Sequence, residues 1–390
     1  MKMTKFILLM ATLVAFNSCE KTETVLTPTP PVGDTTKISV SANITANTTW
    51  TTGKTYILNG RIAVTAGAVL TIQPGVIVKG AAGTGANATA LLIARGAKIM
   101  AIGTATNPII FTSIADSIAP GQIASPNLAT DLDGLWGGLI ILGNAPISAD
   151  APSVQIEGIP ASDQNGLYGG TDSTDNSGVL KYISIRHGGA NIGEGNEING
   201  LTLGGVGKGT TIENIEIVAN QDDGVEWFGG TVNVTNLIVW NAGDDAIDTD
   251  MAWSGTLDNF IVLSAGDEAL ELDGPEGTLL AGQVLKNGSI SCTGSDGLAD
   301  LDDNSIVNIN NVYFFNLALG QDFDLKPVGL TVSLLQATLP SATVLTDFFK
   351  GGTDAFVTNV TLKNNTVGAN KSFSQNWSWA NVSGALNNFK

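Results

Sequence analysis

The chain has 390 residues, 43% of them hydrophobic, and carries 36 acidic against 18 basic side chains for a net charge of −18. A surface of that sign repels the phosphates of nucleic acids and the headgroups of anionic lipids, so neither is an expected partner. No window sustains a helical period, and the apolar residues come in short bursts separated by Gly, Pro and Asn, which points to strands.

At the amino end, Met1 to Lys5 contain two lysines, Phe6 to Phe16 form an apolar run, and the small polar Asn17 and Ser18 follow. This reads as an export signal. The run is well short of the roughly 20 residues that a membrane-crossing helix needs. Phe16-Asn17-Ser18-Cys19 resembles a loose lipoprotein signal-peptidase box, with Phe16 where Leu is usual. The resemblance implies a signal peptide over residues 1–18 and acylation of Cys19, which would tie the protein to a membrane through lipid. Simple secretion, with Cys19 removed or free, is the alternative. Residues 19–37 are rich in Thr and Pro and form an extended tether, leaving residues 38–390 as the folded body. Loss of Lys2 and Lys5 with the signal changes the balance to 16 − 36 = −20. The expected location is the outer membrane of a cell envelope, on the cell surface.

Strand-like bursts follow in chain order: Val69 to Ile72, Val76 to Val78, Leu91 to Ile93, Ile109 to Phe111 and Leu139 to Leu142. Pro74-Gly75 and Arg95-Gly96 lie 21 residues apart, about one turn of a three-sided β-coil. Farther on, Asn214, Asn236, Asn259, Asn287 and Asn311 recur at intervals of 22, 23, 28 and 24 with their apolar neighbours in register. An Asn at every turn tolerates a left-handed corner and can hydrogen-bond the backbone of the next coil. The expected fold is all-β, a single-stranded right-handed parallel β-helix with three-sided coils of about 20–24 residues. Such a repeat lets a long chain remain one body, because each turn packs only on its neighbours. Trp377 and Trp379, within residues 365–390, are expected to cap the open end.

Leu70 to Gly75, Gly103-Thr104-Ala105, Asn107 to Ser113, Leu135 to Gly143 and Asp222 to Glu226 look like the corresponding stretches of bacterial, Bacteroidetes-type secreted and lipoprotein β-helices of the pectin-lyase-like superfamily. The resemblance spans most of the mature chain. It implies the fold, and no uniform activity comes with it.

Between Glu213 and Asp303 there are 19 acidic residues and one basic residue, Lys286. By the repeat, Glu226, Asp248, Glu271 and Asp300 share one position, and Phe228, Asp250, Asp273 and Asp302 share the next but one. The triplets Asp248-Thr249-Asp250, Glu271-Leu272-Asp273 and Asp300-Leu301-Asp302 therefore place paired carboxylates on one face of successive strands. Coils about 4.8 Å apart bring these charges close enough to repel, and Ca²⁺ suits such an oxygen-only grid better than Mg²⁺. Asp222, Asp223, Asp244 and Asp245 begin the same segments and read first as turn residues able to complete a coordination shell. A solvated acidic face without metal is the bland alternative.

Trp227, Trp240 and Trp253 recur at 13-residue intervals in this zone. Trp253, in a turn, is the best exposed candidate for stacking on a sugar, Trp227 is a second, and Trp240 suits the core. Gln221-Asp222-Asp223 is similar to the paired-aspartate motif of polygalacturonase-type β-helices. The Gly-His-Gly and Arg-x-Lys of that pattern are missing, since the single His187 and Arg186 lie upstream. A uronate lyase would need a cationic group beside its metal, and only Arg186 and Lys208 are near. No catalytic residue is assigned. With Cys19 acylated, only Cys292 remains in the folded domain, read as a buried strand residue, so no internal disulfide is expected. Asp34-Thr35-Thr36, Asp116-Ser117-Ile118 and Asp172-Ser173-Thr174 look like short O-glycosylation acceptors. The reading is a lipid-anchored envelope protein presenting an acidic, calcium-binding face to a glycan or surface component. The alternative is a polysaccharide-active hydrolase or lyase using the carboxylate columns.

Overall fold

A computed structural model describes residues 36–83, 85–190, 197–324 and 329–390. Cys19 and the Asp34-Thr35 of the first acceptor motif fall outside that range. Strand pairing is parallel throughout a fifteen-stranded and an eight-stranded sheet, which successive turns of the chain extend. The only antiparallel pair of strands among the described residues joins Val154–Gln155 to Leu167–Tyr168. The protein is a right-handed parallel β-helix.

In the first coils the three sides are separate strands. One side stacks Thr48–Trp50, Val69–Ile72 and Lys98–Ile102. The second stacks Thr55–Leu58, Ile77–Gly80 and Ile109–Ser113. The third stacks Ile62–Val64, Leu91–Ile93 and Leu139–Leu142. Gly96 lies over Gly67, to whose N–H its carbonyl oxygen is bonded, while Thr52 pairs with Pro74. The two glycine turns read as one position in the sequence therefore belong to different corners.

The strand Gly178–Gly188 pairs with both of the first two sides and merges them. From here the corner between them shrinks to one residue. Tyr182, Asn214, Asn236, Asn259, Asn287, Asn311 and Leu334 occupy it, all with φ between 53° and 63°. A one-residue corner needs the left-handed conformation, which Asn tolerates and which Tyr and Leu adopt only with strain.

The asparagines bond each other rather than the backbone of the next coil. Asn236 Nδ2 donates to Asn214 Oδ1 at 2.9 Å, Asn259 Nδ2 to Asn236 Oδ1 at 2.5 Å, and Asn311 Nδ2 to Asn287 Oδ1. The ladder breaks at the longest interval, where Asn287 Nδ2 turns to Asp258 Oδ1 and Asn259 Oδ1 accepts from the Asn370 N–H at 2.7 Å.

Coil lengths are irregular in the first half. Leu139 lies opposite Leu91 and Leu201, so those turns take 48 and 62 residues, whereas Leu201 to Val225 takes 24 and Val225 to Ile247 takes 22. The extra chain over 143–177 folds across the outer face of the shorter sheet. There Ile147, Ile156, Ile159 and Tyr168 pack on Ile140, Leu142 and Phe228. The main core fills the inside of the coil and runs from Ile44 to Val357.

The C-terminal residues lie along the flank of the helix instead of capping its end. Ala380, Leu386 and Phe389 pack against Ile238, Ile261, Tyr313 and Phe315 on the outer face of the long sheet. Glu216 accepts the N–H groups of Trp379 and Ala380 at 3.0 and 2.9 Å, and Trp379 covers the buried Arg186 guanidinium at 4.9 Å. Trp377 is fully buried with its edge on Tyr182. Apolar residues that a solvated sheet face would expose are thereby covered.

Candidate metal centre

The carboxylate columns align across the shorter sheet. Glu226 stands opposite Asp248, Asp248 opposite Glu271, and Glu271 opposite Asp300. Asp250 is opposite Phe228, and Asp273 follows it one coil on, its N–H bonded to Thr249 O at 2.9 Å. Between the acids, Trp227, Thr249, Leu272 and Leu301 point into the core. In earlier coils the position of Glu226 holds Thr202, Ile140 and Leu92, so a column that begins apolar becomes acidic partway along.

The columns do not form a uniformly solvated face. Glu226 and Asp248 are only 6% and 8% exposed, Asp250, Glu271 and Asp273 are half-buried, and Asp300 and Asp302 are open to solvent. The cause is the 143–177 insertion, whose Glu157 hydrogen-bonds Glu226 and Asn199. Tyr168 from the same insertion packs edge-on to Phe228 at 6.0 Å and donates to Met251 Sδ at 3.1 Å. Its ring occupies the space beside Gly204, where a Cβ would meet Tyr168 carbons at 2.9–3.0 Å.

The acids at the start of each segment join this cluster. Asp223 Oδ1 accepts the Asp245 N–H at 3.0 Å, and Asp245 Oδ1 accepts the Glu268 N–H at 2.6 Å, a ladder parallel to the asparagine one. Carboxylate oxygens of Asp223, Glu226 and Asp248 lie within 4.8 Å of one another, and so do those of Asp222, Asp223 and Asp244. Asp223 belongs to both groups. Of the other expected ligands, Asp245, Asp250, Glu271, Asp273, Asp300 and Asp302 are in neither.

Burial and mutual repulsion disfavour charge here. Desolvation, then Asp222 and Glu197, pushes Glu157 up to about 8. Burial followed by neighbouring carboxylates pushes Asp222, Asp250 and Asp273 up to about 7, and burial with the Glu271 hydrogen bond takes Asp245 to about 11. Asp223, Glu226 and Asp248 are raised well above their ordinary values, by burial first and by their neighbours second. The ion pairs seen among the described residues, Arg61–Asp163, Lys181–Glu213, Arg186–Glu216 and Lys286–Asp258, include none of these groups.

The donor set fits a hard cation. Every available ligand is oxygen, which suits Ca²⁺ or Mg²⁺ and not a thiophilic metal. Asp248 Oδ1 is buried with no hydrogen-bond partner. Asn199 donates to Glu226 and, at 3.3 Å, to Glu157, while its own Oδ1 has no partner. Buried acceptors in that state are costly unless something positive meets them. Sequence reasoning missed Glu157 and Asn199. Both lie outside the Asn repeat, Glu157 in an insertion with no period to mark it.

The tryptophans are not the platform expected of them. Trp227 and Trp253 are 0% and 1% exposed and stack inside the coil, ring centres 4.8 Å apart, with Trp253 Nε1 donating to Val232 O. A turn residue becomes core because its side chain points back into the interior of the preceding coil, beside Trp227 and Val232. Trp240 instead lies on the outer face, half-buried, with its ring edge-on to Trp379 at 6.1 Å. Arg186 and His187 are fully buried on the long sheet, His187 Nδ1 bonded to Leu132 O at 2.6 Å. Cys292 is buried in the core, and burial holds its thiol well above the usual range. No helix among the described residues is long and apolar enough to cross a membrane.

Comparison with known proteins agrees with the coil geometry. No curated protein and no solved structure matches the chain. The model of the pectate-lyase-like β-helix domain matches residues 42–290, which include the merging strand, the insertion and the carboxylates from Asp222 to Asp273. That stretch is more than half of the chain, and the protein belongs to the pectate-lyase-like β-helix domain family.

Proposed function

We propose that this is a lipid-anchored cell-envelope protein whose β-helix binds Ca²⁺ in its carboxylate columns and serves carbohydrate or surface-component binding. Family membership supports a carbohydrate-related role and no finer activity. The observation that carries the metal reading is the buried group of Asp223, Glu226 and Asp248, with the orphaned Asp248 Oδ1 and no ion pair to a basic side chain among the described residues. Ionised together, these groups repel; around a divalent cation they attract. Asp222 and Asp244 supply a more exposed entry to the same site through Asp223. Ca²⁺ is preferred to Mg²⁺ because the site offers many carboxylate oxygens in irregular geometry, and Mg²⁺ demands near-octahedral order.

Calcium titration by calorimetry tests the reading. Saturable binding to the wild type, lost in Glu226→Gln/Asp248→Asn, is the expected result, and no heat of binding at neutral pH would refute it. The anchor is checked separately by intact mass and membrane fractionation. The native protein should carry a lipid adduct that is absent from Cys19→Ala.

A further inference from the structure

A concavity lined by none of the metal-centre carboxylates lies at the corner where the long sheet turns into the shorter one, its Gly243 next in the chain to Asp244. It has a volume of about 580 Å³, within the range of small-molecule sites. Its lining brings together small residues such as Ala242 and Ala265, the Trp240 ring, and the carboxylates of Asp131 and Asp133. Asn241, Ser264 and Thr293 line it from successive coils, Asn241 N bonding Ser264 Oγ at 3.2 Å. At about 4.8 Å per coil the groove follows the helix axis for about 10 Å, roughly the length of two linked pyranose rings.

Each wall offers a distinct chemistry. The Trp240 ring is held edge-on by Trp379 at 6.1 Å and stays half-buried, so an aromatic surface is fixed before any ligand arrives. Preset rings of this kind lose little entropy on binding. The charged groups lining the groove are both carboxylates, Asp131 exposed and Asp133 half-buried, and no Lys, Arg or His lines it. Ionised carboxylates only accept hydrogen bonds. The Asn241 amide is already engaged with Thr130 O and Ser264 Oγ, which leaves the aspartates to meet a ligand's donors. An aromatic face beside acceptors matches a polyol with an apolar side, and the negative wall rejects a polyanion.

We propose that this groove binds a neutral oligosaccharide, with Trp240 stacked on a pyranose face and Asp131 and Asp133 accepting hydrogen bonds from its hydroxyl groups. The proposal rests on the carbohydrate-binding reading above and places that binding apart from the metal centre.

The test is a calorimetric and NMR titration of the purified mature protein with neutral gluco- and manno-oligosaccharides, galacturonate oligomers and an oligolysine peptide. Neutral oligosaccharides should bind and the other two should not. Trp240→Ala should weaken binding by about tenfold or more, while Trp240→Phe retains most of it. Thr293→Arg, at an exposed position, should block the groove without disturbing the core. Chelation should leave glycan binding unchanged. Neutral-glycan binding that survives both Trp240→Ala and Thr293→Arg, or that is lost on chelation, would overturn the groove and leave the carbohydrate reading standing. Preference for the uronate would overturn the neutral-glycan groove and leave the carbohydrate reading standing, whereas preference for the peptide, or no saccharide binding at all, would overturn both.

Discussion

Raising the pH of the calcium-free protein from about 5 to about 8 should lower its melting temperature, and Ca²⁺ should restore it. In the folded chain burial and neighbouring acids push Glu157 from 4.5 to about 8, and Asp222 and Asp250 from 3.8 to about 7. The unfolded chain gives up these protons near pH 4, whereas the folded chain keeps them until about pH 7 to 8. Across that window the folded state binds more protons, so stability falls as pH rises. The contribution is fully present below the unfolded values and is lost once the pH has passed the folded ones. At about 1.4 kcal/mol for each unit, the step from about pH 5 to about pH 8 costs about 4 kcal/mol through Glu157 alone, as an upper limit. The carboxyls share one field, so their effects do not add. For a body of roughly 350 residues, about 4 kcal/mol corresponds to a melting shift of about 5 °C. Calcium at about 100 times its dissociation constant returns about 2.7 kcal/mol, or roughly 4 °C. Calorimetric scans in chelator and in millimolar Ca²⁺ at both pH values give the four numbers needed. A midpoint in chelator that is flat or rises with pH would refute the argument, as would a midpoint at the higher pH that ignores calcium. Glu157→Gln should flatten the slope.

Three further substitutions probe the scaffold. Gly204→Ala drives a methyl into the Tyr168 ring and Leu142 and should cost about 1–3 kcal/mol in urea unfolding. Asn236→Ala removes two rungs of the ladder and forces Ala to a φ of 63°; a loss of about 1–3 kcal/mol is expected, with Asn236→Gly recovering the backbone share. Glu216→Ala leaves the buried Arg186 without its counter-charge and frees the N–H groups of Trp379 and Ala380. A loss of about 3–5 kcal/mol should follow, with faster hydrogen exchange confined at first to residues 365–390.

Amino-acid order by itself determined the coil and the alignment of the acids. Once Asn214, Asn236 and Asn259 recur in step with their apolar neighbours, parallel stacking places Glu226, Asp248, Glu271 and Asp300 in one line, because side chains alternate strictly along a strand. Burial was not legible in the same way. The insertion over 143–177 has no period of its own, so nothing in its residues announces that it lies across the acidic strands, brings Glu157 to Glu226 and withdraws two of the column's carboxylates from water. Trp253 misled for a related reason, since whether a turn residue points inward or outward depends on its packing against the adjoining coil, here Trp227 and Val232. The two glycine turns at Gly75 and Gly96 shared a spacing without sharing a corner. Local periodicity specifies register, and tertiary packing alone decides which of the registered side chains water can reach.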